Sequence, residues 1–302
     1  MASIERRARG DGDPSGGDNG GDGAVGDGAR LAPFLKWAGG KRGLLPRLLP
    51  LIPKTIETYY EPFIGGGALF FELARQRRYR KAKLADRNEE LIQCYAAIKR
   101  DYEQVVRALE VHRYDRDAFY AVREQDPTKL TDPKRAARTI YLNRCGFNGL
   151  YRVNKSGRFN VPFGNYRDPN FVRPDLLKSV AAALQNAELM VEDFERVVDG
   201  ATPVDFVYFD PPYVPLSATA SFTAYARDGF DATDQGRLAS LLRRLRKRGV
   251  PALLSNSDCP VTRELYRGLR PKAVDARRAI NSNAAKRGPV SELIVRSFSY
   301  PC

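Results

Sequence analysis

Histidine is nearly absent from this chain: His112 is the only one in 302 residues. A structural zinc site therefore lacks its usual ligands, and a Ser/His/Asp or Cys/His triad would depend on this one side chain. It lies in the polar helical stretch Glu110–Arg113 and reads as a surface residue. Cysteine is scarce too. Cys94, Cys145, Cys259 and Cys302 are widely spaced, with no Cys-x-x-Cys pair, which suits reduced intracellular thiols better than a disulfide framework. No apolar run is long enough to span a bilayer, and the first residues carry no signal-peptide core. The expectation is a cytoplasmic protein with neither a metal nor a membrane partner.

Basic residues, by contrast, are abundant. Lys and Arg number 50 against 36 Asp and Glu, a formal net charge of +14. Such an excess favours a polyanion, because each neutralised phosphate releases counterions. Charge alone would suit a membrane surface or a merely basic soluble protein equally well. Hydrophobic residues make up 43% of the chain, enough for a sizeable core. From Gly10 to Gly28 nearly every residue is Gly or Asp. That composition cannot bury enough apolar area to offset its ordering entropy, so residues 1–30 are expected to be a disordered tail.

From Leu31 on, α/β signals appear. Thr58–Phe63 reads as a buried strand, Gly65-Gly66-Gly67 as a turn, Ala68–Ala74 as a helix and Lys83–Asp86 as the next strand, a βαβ unit. Glu89 to about Arg138 is helical. Asn143–Tyr166 is rich in Asn, Gly, Arg and aromatics and reads as an irregular loop with a hairpin turning at Asn154–Gly157. After Pro174, strands are expected at Leu189–Val191, Val204–Phe209, Val250–Leu254 and Leu293–Val295, with an amphipathic helix over Asp234–Arg248.

The sharpest chemical signal is Asp210-Pro211-Pro212-Tyr213, directly after an apolar strand. In open α/β sheets, ligands bind beyond the carboxyl ends of strands. An exocyclic purine amine is a poor nucleophile because its lone pair is delocalised into the ring. A carboxylate and a carbonyl that accept both N–H hydrogens draw the nitrogen towards tetrahedral geometry and free the lone pair. Asp210 offers the carboxylate. Pro211 and Pro212 stiffen a turn that can aim a carbonyl, with Pro211 the favoured source, and Tyr213 offers a face for a base. Taken alone, the tetrapeptide also suits a strand-terminal turn.

Three further segments sharpen this reading. Glu61–Gly67 places glycines between strand and helix, and Asp86 ends the next strand about twenty residues on, where a carboxylate can grip ribose hydroxyls. No lysine–hydroxyl pair follows the glycines, so this is not a P-loop. Phe34–Lys41 holds the only tryptophan and two lysines, and one ammonium there could hold a ligand carboxylate. Asn143–Asn154 interleaves Arg, Asn and aromatics. Arg and Asn read base edges, and Phe147 could act as a wedge or stack where a base leaves the duplex.

In this order, the blocks Phe34–Lys41, Glu61–Leu69, Leu84–Leu91, Tyr141–Tyr166 and Val207–Tyr225 resemble the D12 class of DNA adenine-N6 methyltransferases, the Dam type in particular. The resemblance covers the chain from about Pro33 to its C-terminal strand. It implies a Rossmann-like α/β sheet formed by residues 31–88 and 173–302, with a helical and hairpin target-recognition domain inserted at 89–172. It implies S-adenosyl-L-methionine near Trp37, Ala38, Lys41, Phe63, Gly65, Asp86, Asp193, Phe194 and Asp210. It implies a flipped adenine at Asp210 and Tyr213. On duplex DNA it implies base contacts from Lys36, Leu150, Arg152 and Pro162. Phe147 and Asn148 match positions at the vacated space, and Arg144, Ser217 and Thr219 match phosphate-side positions. The implied target is GATC.

Cys145, Asn165 and Ser257 depart from residues common in the family, which bears on specificity more than on the reaction. A cytosine-N4 enzyme would more often carry Ser at position 210, and an RNA or protein-glutamine enzyme Asn. A DNA-binding regulator that has lost catalysis, and a modification enzyme paired with a restriction endonuclease, remain alternatives.

Overall fold

The computed structural model describes residues 31–37, 39–154, 156–215, 230–276 and 290–299. The expected tail, together with Ala38, Ser217 and Thr219, lies outside them. Seven strands form one mixed sheet: β1 (Ile56–Glu61), β2 (Tyr79–Ala85), β3 (Ala187–Met190), β4 (Phe206–Phe209), β5 (Ala252–Ser257), β6 (Lys272–Ala276) and β7 (Val290–Arg296). Their order is β3-β2-β1-β4-β5-β7-β6. The first five run parallel, and β7 inserts antiparallel between β5 and β6. This is the Rossmann-like architecture expected. All of β4 and β5 is buried, as strands covered on both faces must be.

Nine helices cover the sheet and build the insert among the described residues: α1 (Leu45–Leu48), α2 (Ala68–Arg75), α3 (Glu89–Glu110), α4 (Arg116–Glu124), α5 (Asp132–Cys145), α6 (Pro174–Leu184), α7 (Phe194–Val197), α8 (Ala232–Lys247) and α9 (Pro260–Leu265). Several start on side-chain caps. Asn88, Asp115 and Asp231 accept backbone N–H groups at the starts of α3, α4 and α8. Helix α3 buries Leu91, Ile92, Tyr95 and Ile98 in the same core as Phe70, Phe71 and Leu84, so the segment between β2 and β3 is rooted on the sheet. No described helix is long and apolar enough to cross a membrane.

Four local expectations change. Asn143 to Cys145 complete α5 instead of opening a loop; Gly146 ends that helix, and a Cβ there would lie 2.5 Å from the Leu142 carbonyl oxygen. Strand β2 begins at Tyr79, earlier than its polar first residues suggest. Strand β6 has no apolar signature and is recruited by pairing with β7. His112 is partly buried, stacked on Tyr141 at 4.7 Å, and burial lowers its pKa.

The chain turns from β2 on one side of β1 to β4 on the other. The crevice at this switch point opens beyond Glu61, Asp86 and Asp210, where a parallel sheet presents its ligand site.

Candidate active site

A cleft of ≈ 2170 Å³ runs over these strand ends, from the glycine turn after β1 to the hairpin at Tyr151–Asn160. The turn is shaped by close approach. Gly65 has φ +46°, and a Cβ on it would lie 2.8 Å from the Trp37 indole. Trp37 therefore lies directly on the turn, and only glycine permits it. Asp86 braces the opposite side: its carboxylate accepts the backbone N–H of Gly65 at 3.1 Å and of Asn88 at 2.9 Å. Burial pushes the Asp86 carboxyl upward, and these N–H donors pull it back.

The apolar end of the cleft is an aromatic cluster. Phe63 stacks on Phe194 at 5.6 Å and meets Phe230 edge-on at 5.5 Å. Phe63 and Phe230 line the cleft, whereas Phe194 is buried behind them. The Asp193 side chain does not line the cleft either. Its carboxylate caps α7 and pairs with Arg87 at 2.9 Å and Arg237 at 2.7 Å. Burial would raise its pKa, but those arginines win and hold it low. The structure thus brings Trp37, Lys41, Phe63, Gly65, Asp86 and Asp210 together and leaves Asp193 and Phe194 as the layer behind them.

At the end of β4, Asp210 faces the cleft. Its Oδ1 pairs with Lys41 Nζ at 2.9 Å and accepts the Ser255 hydroxyl at 3.0 Å. Burial raises the Asp210 carboxyl, and the Lys41 ammonium opposes that rise. The Pro212 carbonyl is occupied, accepting Gln235 Nε2 at 2.9 Å. Gln235 is itself held by Asn256, which also accepts the Val214 N–H. No described residue engages the Pro211 carbonyl. Tyr213 completes the corner, with Lys41 Nζ 4.4 Å from its ring centroid and its hydroxyl donated to Glu292 Oε2 at 2.8 Å.

The far wall combines the N-terminal loop with the segment between β2 and β3. Lys36, Arg144 and Arg152 line the cleft. Lys36 Nζ sits 4.3 Å from the Tyr166 ring centroid, and its pKa is lowered by burial and by Arg144. Arg144 bonds the Asn170 carbonyl, and Arg152 bonds both oxygens of Asn160. Phe147 is exposed on the surface of the loop. Beside it Asn148 adopts φ +54° and is exposed. Pro162 is exposed and Leu150 half-buried. The Asn154 turn forms as expected: its Oδ1 accepts the N–H groups of Ser156 and Arg158.

Asn143 does not offer an edge to a base. It is fully buried, accepting the Lys36 N–H at 2.8 Å and donating to the carbonyls of Lys36 and Gly149. It ties the N-terminal loop to the insert. Sequence reasoning also passed over Glu61, Ser255, Gln235, Phe230 and Glu292. Glu61 had a usable signal, being a carboxylate between an apolar strand and a glycine turn. The others become visible only once the strands are paired. Burial pushes the Glu61 carboxyl well up, while a 2.8 Å hydrogen bond from Tyr59 opposes this.

A family model described as D12 class N6 adenine-specific DNA methyltransferase matches residues 37–280. The chain belongs to this family. It is 43% identical over 276 residues to type II methyltransferase M1.LlaDCHI of Lactococcus lactis subsp. cremoris, covering 89% of this chain and 96% of that one. It is 39% identical to type II methyltransferase M.MjaIII of Methanocaldococcus jannaschii, over 89% and 99%. It is 41% identical to a DNA adenine methylase of Escherichia coli K12, over 86% and 93%. A solved precorrin-6y C5,15-methyltransferase from Geobacter metallireducens overlays at a TM-score of 0.38 with 9% identity, over 88% and 98%. The fold assignment rests on the strand order.

The enzyme is an adenine-specific DNA methyltransferase, and S-adenosyl-L-methionine is its methyl donor. The residues fit that donor. The glycine turn offers backbone where a Cβ would strike Trp37, Asp86 faces the cleft, and Phe63 and Phe230 supply an apolar slot. No cluster of His, Cys, Asp and Glu among the described residues could hold a metal ion.

Proposed function

We propose that the enzyme methylates adenine N6 within GATC duplexes after extruding the base into the corner at Asp210, Pro211, Pro212 and Tyr213. One observation carries the reading. The Pro212 carbonyl is occupied by Gln235, no described residue engages that of Pro211, and Pro211 and Asp210 both line one cleft. Both N6 hydrogens can then be accepted, and the nitrogen lone pair is released for attack. When bound, S-adenosyl-L-methionine supplies a methyl group already activated on a sulfonium. Asp210 holds the amine and offsets its growing positive charge, Tyr213 stacks on the ring, and the departing N6 proton goes to solvent.

The insert, residues 89–172, serves as the target-recognition domain in this reading. Lys36, Leu150, Arg152 and Pro162 read bases, Phe147 and Asn148 occupy the vacated stack, and Arg144 meets phosphate. The site of action is cytoplasmic DNA, at the nucleoid. Because two relatives are named type II methyltransferases, pairing with a restriction endonuclease of the same specificity is the second reading.

Expression in a host lacking adenine methylation, followed by single-molecule sequencing for N6-methyladenine, tests the proposal. Methylation at GATC in the wild type, absent from Asp210→Ala, is expected. Methylation at another motif overturns the specificity, and wild-type rates from Asp210→Ala overturn the mechanism.

A further inference from the structure

The carboxylate of Glu292 has no role in the reaction as described, yet it lies in the wall of the active-site cleft. It is carried by β7, far in sequence from the catalytic corner, and is only 8% exposed. Its position is set by antiparallel pairing: Glu292 stands opposite Ser257 of β5 and Val274 of β6. Ser257 in turn donates its hydroxyl to the Val214 carbonyl, directly beyond the catalytic corner. Keeping a charged side chain in such a place costs free energy unless it is bonded. Among the described residues its side-chain hydrogen bond comes from the Tyr213 hydroxyl, at 2.8 Å.

A tyrosine ring that receives a base must be held at one angle. The backbone of Tyr213 follows two prolines and is stiff, but its ring turns about two side-chain bonds. The hydroxyl bond to Glu292 anchors the far end of the ring against swings about the Cα–Cβ bond, while the Lys41 ammonium over its face limits rotation about the ring's own axis. Burial, with Asp210, Tyr208 and Glu292 adding to it, pushes the phenol well above its ordinary range, so the hydroxyl stays protonated and remains the donor.

We infer that Glu292 is a positioning residue for the target adenine, acting through Tyr213 by pinning the ring as the platform on which the base stacks. The inference rests on the stacking role proposed above for Tyr213. A neutral acceptor would pin the ring equally well. The charge has a second effect: Glu292 raises the Asp210 carboxyl, against the pull of Lys41.

The test uses the full-length enzyme and a duplex carrying its mapped site with 2-aminopurine at the target adenine. The wild type should raise the fluorescence, and Glu292→Ala should abolish most of that rise. The same variant should lose about ten- to hundredfold in kcat/KM, the scale of a hydrogen bond to a charged group. Tyr213→Phe combined with Glu292→Ala should be no worse than Glu292→Ala alone, because both remove one interaction. Glu292→Gln should restore most of the kcat/KM and move the acid limb of the rate profile to lower pH. Losses that add independently, or a full fluorescence rise from Glu292→Ala, overturn the inference and leave the stacking role of Tyr213 standing. No rise from the wild type overturns the stacking role itself. Should Glu292→Ala fail to fold, Tyr213→Phe decides, because it keeps the ring and removes the same bond: a wild-type fluorescence rise and kcat/KM from Tyr213→Phe overturn the inference.

Discussion

The indole of Trp37 stacks on the ring of Tyr151, with centroids 5.4 Å apart and planes 25° from parallel. The same indole lies against the Gly65–Gly66 turn. One side chain thus joins the glycine turn after β1 to the hairpin at Tyr151–Asn160. Tyr151→Ala, though placed in the insert, should weaken S-adenosyl-L-methionine binding about two- to tenfold, the scale of one aromatic pair. Isothermal titration without DNA measures it. An unchanged affinity would mean that the stack serves the hairpin alone.

Lys41 and Asp210 form the other close pair in the cleft. Burial raises the Asp210 carboxyl and the ammonium lowers it, and the proposed reaction uses the anion. Removing the ammonium in Lys41→Met should leave only the Ser255 hydroxyl opposing the rise, so the acid limb of the methylation rate moves to higher pH. The profile is to be measured at saturating cofactor. A limb that stays put or moves to lower pH would show that Lys41 does not set the charge on Asp210.

Two glycines should respond oppositely to alanine. At Gly65 the added Cβ meets the Trp37 indole at 2.8 Å with φ at +46°. Gly65→Ala should cost about 1–3 kcal/mol and displace Trp37. Gly236 sits within α8 with nothing near its missing Cβ. Gly236→Ala should stabilise by about 0.5–1 kcal/mol. Thermal melts of both variants, with Trp37 fluorescence as a local probe, separate the two.

Asn143 is fully buried and holds three backbone groups. Asn143→Asp would turn its two donated bonds against carbonyl oxygens and should destabilise by about 3 kcal/mol or more. DNA affinity should fall with it, because Lys36 and Gly149 lose their shared anchor. Chemical denaturation and a DNA titration check the two effects; a stable variant with intact DNA binding would contradict this role.

The strand, glycine turn and helix around Gly65 were legible because they rest on local chemistry. An apolar run, a residue free to adopt positive φ and an amphipathic period each act within a few neighbours. The same holds for the Asp210 corner, where a carboxylate and two prolines follow a buried strand. Asp193 and Asn143 were harder. Both are polar residues beside functional segments, but the partners that absorb them, Arg237 for one and Lys36 for the other, lie 44 and 107 positions away.

The linear chain by itself determined the candidate corner, because its carboxylate, two prolines and aromatic ring sit on four consecutive residues. Only the tertiary structure decided what surrounds them. Glu292, Ser255 and Gln235 reach the corner because β7 enters the sheet antiparallel and α8 crosses beside β5. Strand order and register are set by long-range pairing, and no local propensity encodes them.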